Sequence, residues 1–282
     1  MSFVIYNKKK FLVENRELYI GYQRILSISQ IRGLEDFSDL SLLDLSCNQI
    51  NVINSLDHLT KLKTLRLSLN KIEIINGLKG LKDLESLFLS SNKIAEIKSL
   101  ETLTNLRKLY ISDNKIKNIS GLENLTNIET LFLDRNQIRE IRGLDGLKNI
   151  KRLFLDRNEI KKIEGLENLI NLQTLYLNYN RIERIEGIDQ LKNLKVLKLE
   201  GNRIKKIEGL ENLINLQELF LNRNQIKEIN GLRSLTYLRR LNLGDNPIPS
   251  KLVKYLGNFN IGGFAIYPDK FVEYCKKNFI KK

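Results

Sequence analysis

Asparagine recurs at Asn48, Asn70, Asn92, Asn114, Asn136, Asn158, Asn180, Asn202, Asn224 and Asn246, and every interval between them is 22 residues. A fixed period of about 20–29 residues restricts a chain to a stack of similar coils, because one coil cannot bury its apolar face alone. The beat carries no insertion, so no coil in the run holds extra chain for an enclosed active site.

Aligning the chain on these asparagines sorts the apolar residues into columns. Leucine stands five before each Asn, from Leu43 to Leu241, and leucine or Ile111 stands three before. Two after is always isoleucine, from Ile50 to Ile248. The L-x-L spacing has period two and predicts a short strand whose leucines point one way. Stacking then lays these strands in parallel about 4.8 Å apart. Beyond the strand the apolar spacing becomes three, as in Ile138, Ile141, Leu144 and Leu147, which suits a 3₁₀-like or irregular run. The sharp turn after each strand leaves backbone groups without a ladder partner. An amide side chain both donates and accepts, so one Asn per coil can satisfy them and tie neighbouring coils together. A second Asn column (Asn105, Asn127, Asn149, Asn171, Asn193, Asn215) falls where the chain turns back, and glycine recurs seven after the ladder.

The unit [LI]-x-x-L-x-L-x-x-N-x-I-x-x-I-x-G-L-x-x-L, seen from Ile150 to Leu169, resembles the 22-residue class of leucine-rich repeat typified by a nuclear regulatory subunit of protein phosphatase 1. The resemblance covers residues 18–248. It implies an α/β fold: a curved right-handed horseshoe solenoid, with a parallel β-sheet on the concave face and 3₁₀ or irregular turns on the convex face. The expected organisation is a single domain over 1–282. Residues 1–17 form an N-terminal hairpin cap around Asn7–Lys10. About eleven coils fill 18–248, ten of them regular, and a C-terminal helical cap fills 249–282. In that cap Ser250–Leu256 and Pro268–Ile280 read as helices, with Phe271, Val272, Cys275 and Phe279 covering the last coil.

Strand residues between the buried leucines point away from the core. Four before each Asn this column reads Asp44, Arg66, Phe88, Tyr110, Phe132, Phe154, Tyr176, Lys198, Phe220, Asn242. A row of rings at about 150–250 Å² each exceeds what a monomer usually leaves exposed, and Phe and Tyr anchor protein interfaces. Rings on adjacent strands can equally stack on one another. Asp134, Asp156 and Glu200 stand two before the ladder, and Arg135, Arg157 and Tyr179 one before, where they either pair with neighbours or rim an interface. The family resemblance nominates Phe88, Phe132, Phe154, Tyr176, Asp134, Asp156 and Glu200 for binding a catalytic subunit. The tail Gly257–Lys282 departs from that family's usual cap.

These columns predict a protein-binding scaffold whose partner is another protein. The alternative is single-stranded nucleic acid, with bases stacked on the rings beside Arg135, Arg157 and Lys198. The net charge of +14 is shared with the ends: four basic against two acidic side chains in 1–17, and seven against two in 247–282. No basic block of five appears in the chain. No cofactor, metal or catalytic residue is expected. The single His58 lies in a turn away from any carboxylate pair or cysteine, and no phosphate-binding or dinucleotide motif occurs. No segment has a signal-peptide apolar core or approaches 18 apolar residues, so a cytoplasmic protein with no membrane partner is expected. Two isolated thiols, Cys47 and Cys275, fit a reducing compartment.

Overall fold

A computed structural model describes residues 2–279. It falls into two compact units, Met1–Gln137 and Ile138–Lys282.

The first unit opens on an antiparallel meander. Strand β1 (Phe3–Tyr6) pairs with β2 (Lys9–Glu14), and β2 pairs with β3 (Glu17–Tyr19). Both links are two-residue turns, Asn7–Lys8 and Asn15–Arg16, and all four residues have positive φ, as the tight turns favoured by twisted hairpins require. The N-terminal cap is therefore two hairpins. The single hairpin expected around Asn7–Lys10 is thus tighter and followed by a second, whose turn at Asn15–Arg16 lacks the glycine that usually marks one.

From β3 onward the strands run parallel: β4 (Leu42–Asp44), β5 (Thr64–Arg66), β6 (Ser86–Phe88), β7 (Lys108–Tyr110) and β8 (Thr130–Phe132). Leu18, Leu43, Leu65, Leu87, Leu109 and Leu131 align across them and are fully buried. The second unit repeats the arrangement with β9 (Arg152–Phe154), β10 (Thr174–Tyr176), β11 (Val196–Lys198), β12 (Glu218–Phe220) and β13 (Arg240–Asn242). Behind the strands the backbone makes successive i→i−3 bonds, Leu59 to Leu56 and Leu62 to Leu59, and in the second unit Leu169 to Leu166 and Leu172 to Leu169. That is the 3₁₀-like return the threefold apolar spacing predicts.

The asparagines work as their chemistry suggests. Asn92 donates from Nδ2 to the carbonyls of Leu89 in its own coil and Leu67 in the coil before, both at 3.0 Å. Its Oδ1 accepts the N–H of Ile72 at 3.0 Å. The second column clamps the outer turns, with Asn105 Nδ2 on the Lys82 carbonyl at 3.0 Å. Glycine is required where coils touch. At Gly165, φ is +69° and an added Cβ would stand 2.2 Å from the Ile141 carbonyl oxygen.

The second unit closes with α1 (Ser250–Tyr255) and α2 (Pro268–Phe279). Phe271, Val272 and Cys275 of α2 are buried; Ile280 and the side chain of Phe279 lie outside the described residues. Between the helices the chain doubles back along β13. Phe264 bridges Asn242 in antiparallel sense, Leu243 donates to the Gly263 carbonyl at 3.1 Å, and Ala265 donates to that of Leu241 at 2.8 Å.

Candidate protein-interaction face

In-register parallel strands place equivalent side chains one strand spacing apart, which is close to a ring-stacking distance. In the first unit Phe88 and Tyr110 stack with centroids 4.3 Å apart and planes 7° from parallel, and Tyr110 and Phe132 follow at 4.6 Å and 13°. All three rings are half-buried. Their faces lie on one another, so solvent meets mainly their edges. At the β5 end of the row the Arg66 guanidinium covers Phe88 at 5.6 Å and pairs with Asp44 at 3.3 Å.

The borders of this row are polar. Ser90, Ser112 and Asp134 run along one side of the rings, with Ser86, Lys108 and Thr130 along the other. The second border comes from the strand position two before the ring column. Alternation in x-L-x puts that position on the same face, so this border too is legible in the sequence. Tyr19 heads the column, half exposed, with its hydroxyl on Glu17 at 2.6 Å. Asp134 accepts from Ser112 Oγ at 3.2 Å. Arg135 is exposed on the rim.

The second unit presents a different surface. Phe154 and Tyr176 meet edge to face, 4.8 Å apart and 77° inclined. The Lys198 ammonium lies between two rings, 4.2 Å from the centroid of Tyr176 and 4.6 Å from that of Phe220. Phe220 does not line an exposed stripe as expected: it is buried, with Phe264 edge-on at 5.5 Å and Arg240 at 5.3 Å. The returning chain of the cap covers it.

Asp156 accepts from the backbone N–H of Asn178 at 2.7 Å and from its Nδ2 at 3.1 Å, and Asn178 Oδ1 accepts the N–H of Glu200 at 2.9 Å. The relay ends at Glu200; at the equivalent position of the next coil the buried Oδ1 of Asn222 has no partner. The N–H of Gly244, next in line, is taken by Asn242 Oδ1 and the Gly263 carbonyl. On the rim Tyr179 donates to Glu200 Oε1 at 2.5 Å and accepts from Arg223 Nη1 at 3.0 Å. The Glu200 hydrogen bond, then desolvation, raises the Tyr179 phenol above its ordinary pKa, so it stays protonated. The Arg157 guanidinium lies 4.8 Å over the Tyr179 ring. Gly201 makes room, since a Cβ there would meet the ring at 2.6 Å.

The residue before every ladder Asn, from Cys47 through Arg135, Arg157 and Tyr179 to Asp245, has left-handed φ near +55° to +66°. These rim side chains thus project from a fixed turn. His58 is half-buried, with Nε2 3.0 Å from the Leu34 carbonyl oxygen. Among the described residues no group of three His, Cys, Asp or Glu is placed to hold a metal, and no helix is long and apolar enough to cross a membrane.

The family described as Leucine Rich repeats (2 copies) matches at 60–103, 82–124, 104–146, 126–168, 170–212 and 214–254, more than half of the chain. The chain belongs to the leucine-rich repeat family. No curated protein sequence matches this leucine-rich repeat chain. Among solved structures it is similar to an internalin (inlF) of Listeria monocytogenes, at 27% identity and TM-score 0.60, covering 83% of this chain and 82% of that one. It is also similar to internalin C2 of that bacterium, at 32% identity and TM-score 0.59, covering 64% and 80%. A TLR13–ssRNA13 complex aligns at 29% identity and TM-score 0.65, covering 73% of this chain but 33% of that one.

Proposed function

We propose that this leucine-rich repeat protein is a non-catalytic interaction module that binds another protein on the outward faces of its strands. The observation that carries the reading is the Phe88–Tyr110–Phe132 stack. Three half-buried rings stand fixed by their mutual stacking between polar borders, so an incoming apolar surface meets rigid anchors with little side-chain entropy to lose. Phe154, Tyr176 and Lys198, with Arg157, Tyr179 and Glu200 on the rim, form a second and more polar contact patch. Free Cys47 and Cys275 support a reducing, cytoplasmic setting.

The test is co-purification from native lysate with Phe88→Ala, Tyr110→Ala, Phe132→Ala as a triple variant. Each lost stacking pair costs about 0.5–1.5 kcal/mol of stability, so folding is checked by circular dichroism. A folded variant is expected to lose at least about tenfold in partner recovery, as hot-spot truncation does. Undiminished recovery removes the stack as the site.

Single-stranded nucleic acid is the second reading, favoured by the similarity to a structure that contains ssRNA13. Stacking distances argue against it in the first unit. A base entering between two rings needs roughly 7 Å, twice a contact distance, whereas these rings stand at 4.3 and 4.6 Å. Labelled RNA that binds at low salt and releases steeply with added salt would restore it. The narrower reading as a phosphatase regulator draws on Phe88, Phe132, Phe154, Tyr176, Asp134, Asp156 and Glu200. Its acidic groups are already engaged, Glu200 by Tyr179 and Arg223 and Asp156 by Asn178, so a basic partner would have to compete for them.

A further inference from the structure

The lobe closing the second unit carries side chains that its packing does not use. Ile261 stands wholly in solvent, at 110% of reference exposure, at the tip of a tight turn. That turn is fixed: Gly263 donates to the Asn260 carbonyl at 2.9 Å, and Asn260 Oδ1 accepts from Gly262 at 3.0 Å and Phe264 at 3.1 Å. Tyr255, at the end of α1, is 76% exposed, and Tyr267, just before α2, 49%. Residues 250–279 hold five lysines against two acids, and one of those acids, Glu273, is tied to Lys276 at 2.7 Å. Lys270 lies 4.4 Å over Tyr267, so charge and aromatic ring occupy the same spot.

We propose that this lobe docks on an anionic lipid surface, with Ile261 and the two tyrosines entering the headgroup layer and Lys254, Lys270 and Lys277 facing lipid phosphates and carboxylates. A lone aliphatic side chain projecting from a rigid turn enters readily into a fluid layer that closes around it. Tyrosine suits the boundary between apolar and wet regions. Charge complementarity supplies the second attraction that a single apolar insertion needs. The sequence expectation of no membrane partner rested on the lack of a spanning segment, and a surface contact requires none.

The test is co-sedimentation of the full chain with phosphatidylcholine vesicles and with vesicles that also contain phosphatidylserine. Binding is expected only to the second, weakening as salt rises. Lys254→Gln and Lys270→Gln should each weaken it by about fivefold. Ile261→Asp, at a position free of packing, should weaken it on the order of tenfold, whereas Ile261→Trp should strengthen it. Equal binding to both vesicle types, no binding at low salt, or indifference to Ile261→Asp overturns the proposal. So does a dimer, seen by light scattering, that Ile261→Asp dissolves while vesicles fail to sediment the chain: the lobe would then be an interface between copies.

Discussion

At the scale of single residues, each ladder asparagine fastens several buried backbone groups at once. Asn92→Ala would strand the buried Ile72 N–H and take one of two amide donors from each of the Leu67 and Leu89 carbonyls, which keep Asn70 and Asn114. Stranding the donor costs about 1–3 kcal/mol and each bond lost from a carbonyl that keeps a partner about 0.5–1.5 kcal/mol, so a loss of roughly 2–4 kcal/mol is expected, read as a fall in the urea midpoint at unchanged slope. Isosteric Asn92→Asp should cost a similar amount, because a carboxylate cannot donate to the two carbonyls. This part of the molecule was legible in advance: a donor–acceptor side chain at strict period could be assigned its job from chemistry alone. The left-handed φ of the residue before it was not, since Leu69, Tyr179 and Arg223 are poor advertisements for that conformation.

Among elements, the strands and the two C-terminal helices follow from periodicity, while the cap's return path does not. Nothing in the local pattern near Phe264 announces that it will pair with Asn242 and bury Phe220. That contact is tertiary, made across a turn, and it takes one aromatic residue out of the face inferred from the column. The edge-on presentation of Phe88, Tyr110 and Phe132 likewise depends on ring orientation, which column counting does not reveal. Helix α2 gives a prediction of its own. Cys275 is buried against the last coil, and desolvation raises its thiol pKa, so the reactive thiolate is disfavoured in the folded state. At mildly alkaline pH a thiol reagent such as DTNB should modify Cys47 well before Cys275. Denaturation should make the two rates alike. Equal native rates would mean that α2 does not stay docked.

For the whole molecule, we propose that 1–282 is one domain, on the ground that the 22-residue interval from Asn136 to Asn158 is the same as every other. Nearest-neighbour coupling between equivalent coils then predicts one urea transition, with tyrosine fluorescence and circular dichroism superimposed. Two separated transitions would instead assign independent stability to Met1–Gln137 and Ile138–Lys282. Sheet edges bear on behaviour at this scale too. In the first unit Ile5 of β1 exchanges both backbone hydrogen bonds with Arg32 at 2.9 Å, and in the second the 263–265 segment covers β13. Exposed strand edges template aggregation, and these two are spoken for.

The direction of the asparagine bonds has a consequence for descent. Asn70 reaches back to Leu45 and Ile50, Asn202 to Leu177 and Ile182, always to the coil before and in the same way. A copied block of 22 residues therefore arrives with its own fastening and finds the matching acceptors waiting in whichever coil precedes it. Duplication and deletion by whole coils lengthen or shorten the surface without any compensating change, so lineages of such a chain can vary its reach by recombination alone while point mutation tunes what it grips.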